Sequence, residues 1–153
     1  METDISHEIK ISRVRECPSV ICDSAEKALT YWKESVTSAD WFSPERENIL
    51  ALILNTRLQV TGHSIVSIGT LSEAGCHPRD VFRAAIALNA YGILLMHNHP
   101  SGDSSPSAAD YRITRALKEG AGLLQINLVD HVIVGDSTGD RQGYFSFKEA
   151  GVI

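Results

Sequence analysis

Apolar and polar residues alternate from His7 to Arg15 through Ile9 and Ile11, the period of a strand paired at a sheet edge. Asp23 and Ser24 can cap a helix in which Ala25, Ala28, Leu29, Trp32 and Val36 recur at helical spacing, so that one stripe faces a core. From Ser38 to Glu47 the pattern gives way to Ser, Asp, Pro and charges. Asn48–Leu54 then forms a nearly continuous apolar run of strand length, which predicts a buried central strand. A turn at Asn55–Leu58 and the Val- and Ile-containing stretch Gln59–Ile68 predict a second strand, hairpinned to the first and closed by Gly69.

Pro78 sits where a first helical turn accepts it, and Val81, Ala84, Ala85 and Leu88 follow at i, i+3, i+4 and i+7, a helix ending near Asn89. Tyr91–His97 is a short apolar run bounded by the loop Asn98–Pro106 and reads as a buried strand. Ser107 opens a third helix expected to run to about Glu119 and to end at Gly120 and Gly122. Leu124–Val134 supplies a further strand, and Tyr144–Phe147 one more. Helices and strands interleave around one hairpin, so the expected fold is α/β, a three-layer α/β/α sandwich around a mixed sheet. No internal repeat is visible, and residues 1–153 read as a single domain.

Composition narrows the class. With 43% apolar and 22% charged residues and no biased tract, the chain groups with globular proteins, and 153 residues can bury a sizeable core without disulfides. The net charge of −5 works against unassisted binding to a phosphate backbone. Cys17, Cys22 and Cys76 do not match zinc-ribbon spacings and read as free thiols in a reducing compartment. The N-terminus lacks the basic start and apolar core of a signal peptide, and the longest apolar run is too short to cross a bilayer. A cytoplasmic location is the expectation.

The chemistry concentrates in His97-Asn98-His99-Pro100, followed after six residues by Ser107-Ala108-Ala109-Asp110. Two histidines two apart at a strand end point the same way, so both imidazoles can reach one metal. Asp110 falls in the first turn of the third helix, on one stripe with Ile113, Thr114 and Leu117 that should face inward. An inward carboxylate is costly unless paired or metal-bound, which makes it a third donor. Three protein ligands leave a position for water, the catalytic arrangement of zinc, and zinc lowers that water's pKa to about 7. Ser107-x-x-Asp110 taken alone is also a helix-capping pattern, so a structural role competes for the same two residues. Ser101 and Asp103 read as turn chemistry with a lesser chance of touching substrate. His131 reads as a hydrogen-bonded core residue rather than a fourth ligand, and His77 as part of a turn.

With these residues in place, the chain resembles the JAB/MPN metallohydrolases, whose JAMM pattern is a glutamate followed by H-x-H-P-x6-S-x2-D; HNHPSGDSSPSAAD fits that spacing without a gap. It is most similar to the RadC-like branch, through Gly69–Leu71, HPRDVFRAAIALNA at His77–Ala90, HNHPSGD, and Asp130-His131, over about residues 44–136. The resemblance implies a cytidine-deaminase-like α/β/α fold, one zinc per chain held by His97, His99 and Asp110, and Ser107 as the hydroxyl that stabilises a developing oxyanion. It also implies an upstream glutamate that accepts a proton from the water and passes it to the leaving amine. Glu47, just before NILALIL, fits that role, with Glu45 the alternative.

The resemblance implies a peptide or protein substrate cleaved at an amide bond. Full-length RadC-like proteins carry a helix-hairpin-helix-like region before the metal domain, and that region is not expected in this chain. Two other readings stay open: a nucleic-acid enzyme or accessory protein, whose HNH letters match nucleases only superficially, and a metal-free interaction domain. Two imidazoles and a carboxylate also accept iron, cobalt or nickel.

Overall fold

In the computed structural model the strand β1, Asn48–Leu54, is buried at every position, as an unbroken apolar run requires. Residues 20–69 and 75–153 are described; the edge strand expected at His7–Arg15 and Cys17 lie outside the described residues. Asn55 turns the chain by accepting the N–H groups of Arg57 and Gln59 on its side-chain oxygen, at 2.9 and 3.0 Å. The chain then returns as β2, Val60–Ile68, antiparallel to β1. This is the expected hairpin.

β1 also pairs antiparallel with β3, Gly92–Asn98, which runs parallel to β4, Asn127–Val134; β5, Tyr144–Ser146, is antiparallel to β4. The sheet is thus mixed and five-stranded, in the order β2-β1-β3-β4-β5. Alternation along the central strands divides the core. Leu50, Leu52, Leu54, Leu94 and Met96 pack with Ala28, Trp32 and Val36 on one face. Ile49, Ala51, Ile53, Ile93 and Leu95 pack with Val81, Phe82, Ala85, Leu117 and Ala121 on the other.

The first face is covered by α1, Ala25–Tyr31, capped by Ser24, whose hydroxyl accepts from Lys27 N–H at 3.3 Å. The helix continues as a π-helical turn, Trp32–Val36, a widening that the regular apolar spacing did not foretell and that keeps Trp32 and Val36 buried. The second face carries α2, Pro78–Ala87, with Pro at its start, and α3, Ala108–Leu124. Asn89 turns out of α2 at φ +50°, close to where the sequence placed the end. Helices on both faces of a mixed sheet give the three-layer α/β/α arrangement.

One boundary is corrected. Gly120 and Gly122 do not stop α3; it runs on to Leu124 and ends through Gln125 in the left-handed conformation, φ +55°. The reason is packing rather than local propensity. A Cβ on Gly120 would stand 2.9 Å from Cε2 of Phe82, so glycine there lets α3 approach α2 while Leu117 and Ala121 stay in the core. That burial offsets a glycine cost of about 1 kcal/mol in a helix interior. The strand expected from Leu124 therefore begins only at Asn127.

Cys22 and Cys76 form no disulfide among the described residues. No helix among the described residues is long and apolar enough to cross a membrane.

Candidate metal centre

His97 lies near the C-terminal end of β3, in register with Ile49 of β1 and Ile133 of β4, on the sheet face covered by α2 and α3. Its Nε2 stands 3.1 Å from His99 Nε2 and 3.2 Å from Asp110 Oδ1, and His99 Nε2 is 3.3 Å from Asp110 Oδ2. Ligand atoms of all three residues fall within 4.8 Å of one another, so His97, His99 and Asp110 are positioned to hold a metal ion. The side chains are 2%, 16% and 8% exposed respectively, which leaves His99 as the solvent side of the cluster.

Asp110 meets both demands that its sequence context makes. It completes a capping box with Ser107: the Ser107 hydroxyl accepts from Asp110 N–H at 3.1 Å, and Ser107 N–H donates back to Oδ2 at 2.7 Å. The same carboxylate faces the two imidazoles. Burial pushes its pKa upward, but hydrogen bonds to His97 and His99, the nearby His97 charge and the Ser107 N–H outweigh burial and hold the carboxyl well below the usual range. The hydrogen bond to Asp110 raises His99, against the opposing effect of burial. A carboxylate that stays ionised beside two imidazoles is a donor set fitted to a cation.

Ser107 is exposed, and its hydroxyl proton lies on Asp110 Oδ2 at 2.8 Å. Glu47 sits where β1 begins, with Oε1 3.8 Å from His97 Nε2 and its side chain 15% exposed. Glu45, the alternative, is exposed in the preceding turn. A cavity of about 120 Å³ opens beside the cluster, with Glu47, His97 and Asp110 on its polar side and Cys76, Leu95 and Ile113 among its apolar walls. Burial, then Asp80 and Glu47, push the Cys76 thiol up to about 12, which keeps it protonated.

Three sets of contacts around the site were not legible in the sequence. Asn98, between the two histidines, points to the opposite face and clamps the peptide groups on either side of Glu47. Its Oδ1 accepts Asn48 N–H at 2.9 Å and its Nδ2 donates to the Arg46 carbonyl at 2.9 Å. Asn48 Nδ2 reinforces this by donating to the carbonyls of Ser43 and Arg46 at 2.8 and 2.7 Å. The second feature is His131, read as a core residue: it is fully buried, and it bonds His97 directly, Nε2 to Nδ1 at 2.9 Å. Burial, above all, holds its pKa well below the ordinary value, so it is neutral. The third is Thr114, on the inward stripe of α3, 2.7 Å from His131 Nδ1.

The loop after β3 does turn work. Gly102 adopts φ +80° with Asp136 packed against it, and Asp103 accepts Ser105 N–H at 2.9 Å and donates its own N–H to Ser101 at 3.3 Å. It is the Asp103 carbonyl, not its carboxylate, that meets the site: His99 Nδ1 donates to it at 2.7 Å. A carbonyl has no proton to give, so the Nδ1 proton of His99 is committed there and Nε2 is the nitrogen that faces the cluster. His77 occupies the N-cap position of α2 without a side-chain cap bond.

The sequence that builds this site is similar to a known group of proteins. A family model described as RadC-like JAB domain matches residues 22–152. A UPF0758 protein of Thermotoga maritima is 45% identical over 131 residues, covering 86% of this chain and 54% of that protein. Similar proteins of the same name from Pelodictyon phaeoclathratiforme and Chlorobium phaeovibrioides are 44% and 47% identical, covering 71% and 68% of this chain and 46% and 44% of their own lengths. The chain thus spans about half the length of the curated relatives it matches. Matched along most of its length, and with the mixed α/β/α sheet that the resemblance implied, the chain belongs to the RadC-like JAB domain family.

Proposed function

We propose that the chain is a zinc-dependent hydrolase of the metallopeptidase or isopeptidase type, acting on an amide bond of a peptide or protein substrate. The observation that carries this reading is the convergence of His97, His99 and the ionised Asp110 within 4.8 Å, with Glu47 Oε1 3.8 Å from His97 Nε2 at the mouth of a partly apolar cavity. Two imidazoles and one carboxylate form a donor set of catalytic zinc sites, which keep one position open. When bound, zinc would supply Lewis acidity, polarising an amide carbonyl and lowering the pKa of a water to about 7.

The chain's own residues would do the rest. Glu47, whose Oε1 is 3.8 Å from His97 Nε2, would take a proton from a water entering beside His97 and deliver it to the leaving amine. The Asn98 clamp on the flanking peptides fixes where that carboxylate stands. Ser107, exposed at the start of α3, would turn its hydroxyl proton from Asp110 to the substrate oxygen as charge builds there. Ile49, Leu95 and Ile113 line the cavity and would give a bound amide an apolar wall beside the reacting groups. The net charge of −5 favours a peptide over a phosphate backbone as substrate.

The test is metal analysis of protein purified without chelator, alongside cleavage of a peptide library. The expected result is about one zinc per chain, lost in His97→Ala, and cleavage abolished in Glu47→Gln with zinc retained. Equal and negligible zinc in wild type and His97→Ala would overturn the metal centre. Zinc without cleavage of any amide substrate would overturn the hydrolase.

A further inference from the structure

The hydrogen bonds around His131 form a chain whose direction can be read from its far end. Thr114 Oγ1 lies 2.6 Å from the Asp110 carbonyl, and because a carbonyl has no proton, the hydroxyl must donate there. With that proton committed, the 2.7 Å contact between Thr114 Oγ1 and His131 Nδ1 requires Nδ1–H to donate to the hydroxyl. His131 is fully buried among Thr114, His97 and Phe147, and a buried imidazole with one proton on Nδ1 has a bare Nε2. Across 2.9 Å, His97 must then donate from Nδ1.

We propose that His131 holds the Nδ1–H of His97, so that Nε2, which faces His99 and Asp110, is the nitrogen turned to the cluster, and so acts as a positioning residue of the metal centre. The proposal rests on the reading of that cluster as a metal site. Metal-bound histidines commonly donate their other N–H to a carboxylate or carbonyl. Here the acceptor is a second neutral imidazole, which fixes the ring as firmly while adding no negative charge behind the ligand.

The surroundings hold the His131 ring in that role. Phe147, fully buried, stacks on it at 4.6 Å between centroids and 7° between planes. Asp130, the residue before, ties down the segment that carries Phe147: its carboxylate accepts the Ser146 hydroxyl at 2.6 Å and Lys148 N–H at 3.0 Å, and Phe147 N–H donates to the His131 carbonyl at 3.0 Å. The dipeptide Asp130-His131 thus works as a unit, one residue fixing the aromatic ring and the other using it as a backstop.

The test compares the intact chain with His131→Gln, whose side-chain oxygen can still accept from His97, and with His131→Leu, which cannot. Zinc affinity is measured by competition with a chromophoric chelator, and folding of the metal-free proteins by circular dichroism. His131→Leu should bind zinc about 10- to 100-fold more weakly, the range for loss of such an outer partner, and His131→Gln should recover most of it. Long-range proton–nitrogen NMR of metal-free wild type should find His97 protonated at Nδ1. Equal zinc affinity in folded His131→Leu, or a His97 bare at Nδ1, would overturn the proposal. If His131→Leu does not fold, His131→Gln and the wild-type tautomer decide. A wild type without zinc affinity would overturn the metal-centre reading and the positioning role that rests on it, while a His97 bare at Nδ1, read without metal, would overturn the role of His131 alone.

Discussion

Asn98 is the sharpest point at which to perturb this architecture, because its amide joins two segments fifty residues apart in sequence. In Asn98→Ala three hydrogen bonds disappear: Asn48 N–H and Nδ2 lose Oδ1, at 2.9 and 3.0 Å, and the Arg46 carbonyl loses Nδ2 at 2.9 Å. Two of these groups keep partners, since Asn48 Nδ2 still reaches the carbonyls of Ser43 and Arg46. Only the buried Asn48 N–H is orphaned. One orphaned donor costs about 1–3 kcal/mol and the remaining bonds about 1 kcal/mol net, so a loss of about 2–4 kcal/mol is expected. At a urea m-value near 2 kcal/mol per M, the midpoint should fall by roughly 1–2 M with the slope unchanged. Because His97 and His99 are untouched, zinc content should persist while Glu47, released at both flanking peptides, loses its position and cleavage falls. A midpoint within about 0.2 M of wild type would refute the clamp, being about a fifth of the smallest shift expected from losing all three of its bonds.

Ser107→Ala should lower the stability of the metal-free protein by about 1 kcal/mol, the cost of a lost helix cap, seen as a fall of about 2–4 °C in thermal melting. Gly120 and Gly122 should respond oppositely to alanine. Gly122→Ala, exposed with nothing near its Cβ, should raise the melting temperature through a helix gain of about 1 kcal/mol. Gly120→Ala should lower it, because displacing buried Phe82 costs about 1–3 kcal/mol. The pH response should differ between metal-free and zinc-loaded protein. His99 is raised, so its pairing stabilises the metal-free chain fully below about pH 6.5 and is lost as pH rises through the higher folded value. Asp110 is lowered, so its contribution is present above about pH 3.9 and is lost only as pH falls through its depressed folded value. Zinc competes with the His99 proton, so the rise in melting temperature on adding zinc should grow from about pH 5.5 to 8. A gain that shrinks over that range in melting experiments would contradict the assignment.

Local periodicity was enough to place most of the elements, because the partners that define a helix stripe or a strand face lie within a few residues of each other. The i, i+2 spacing of His97 and His99 and the inward stripe shared by Asp110, Thr114 and Leu117 made the donor set readable before any strand was paired. The same locality explains the misplaced end of α3. Gly120 looks like a stop signal until Phe82 is seen against it.

What the chain alone determined is therefore the α/β pattern and the three converging donors, since both depend on short-range geometry of the backbone. Tertiary structure decided what surrounds them. Register between β1 and β3 brought Asn98 to both sides of Glu47, and the parallel pairing of β3 with β4 set His131 behind His97, 34 residues away. Those distances follow from how strands align, and no periodicity within a single segment encodes them.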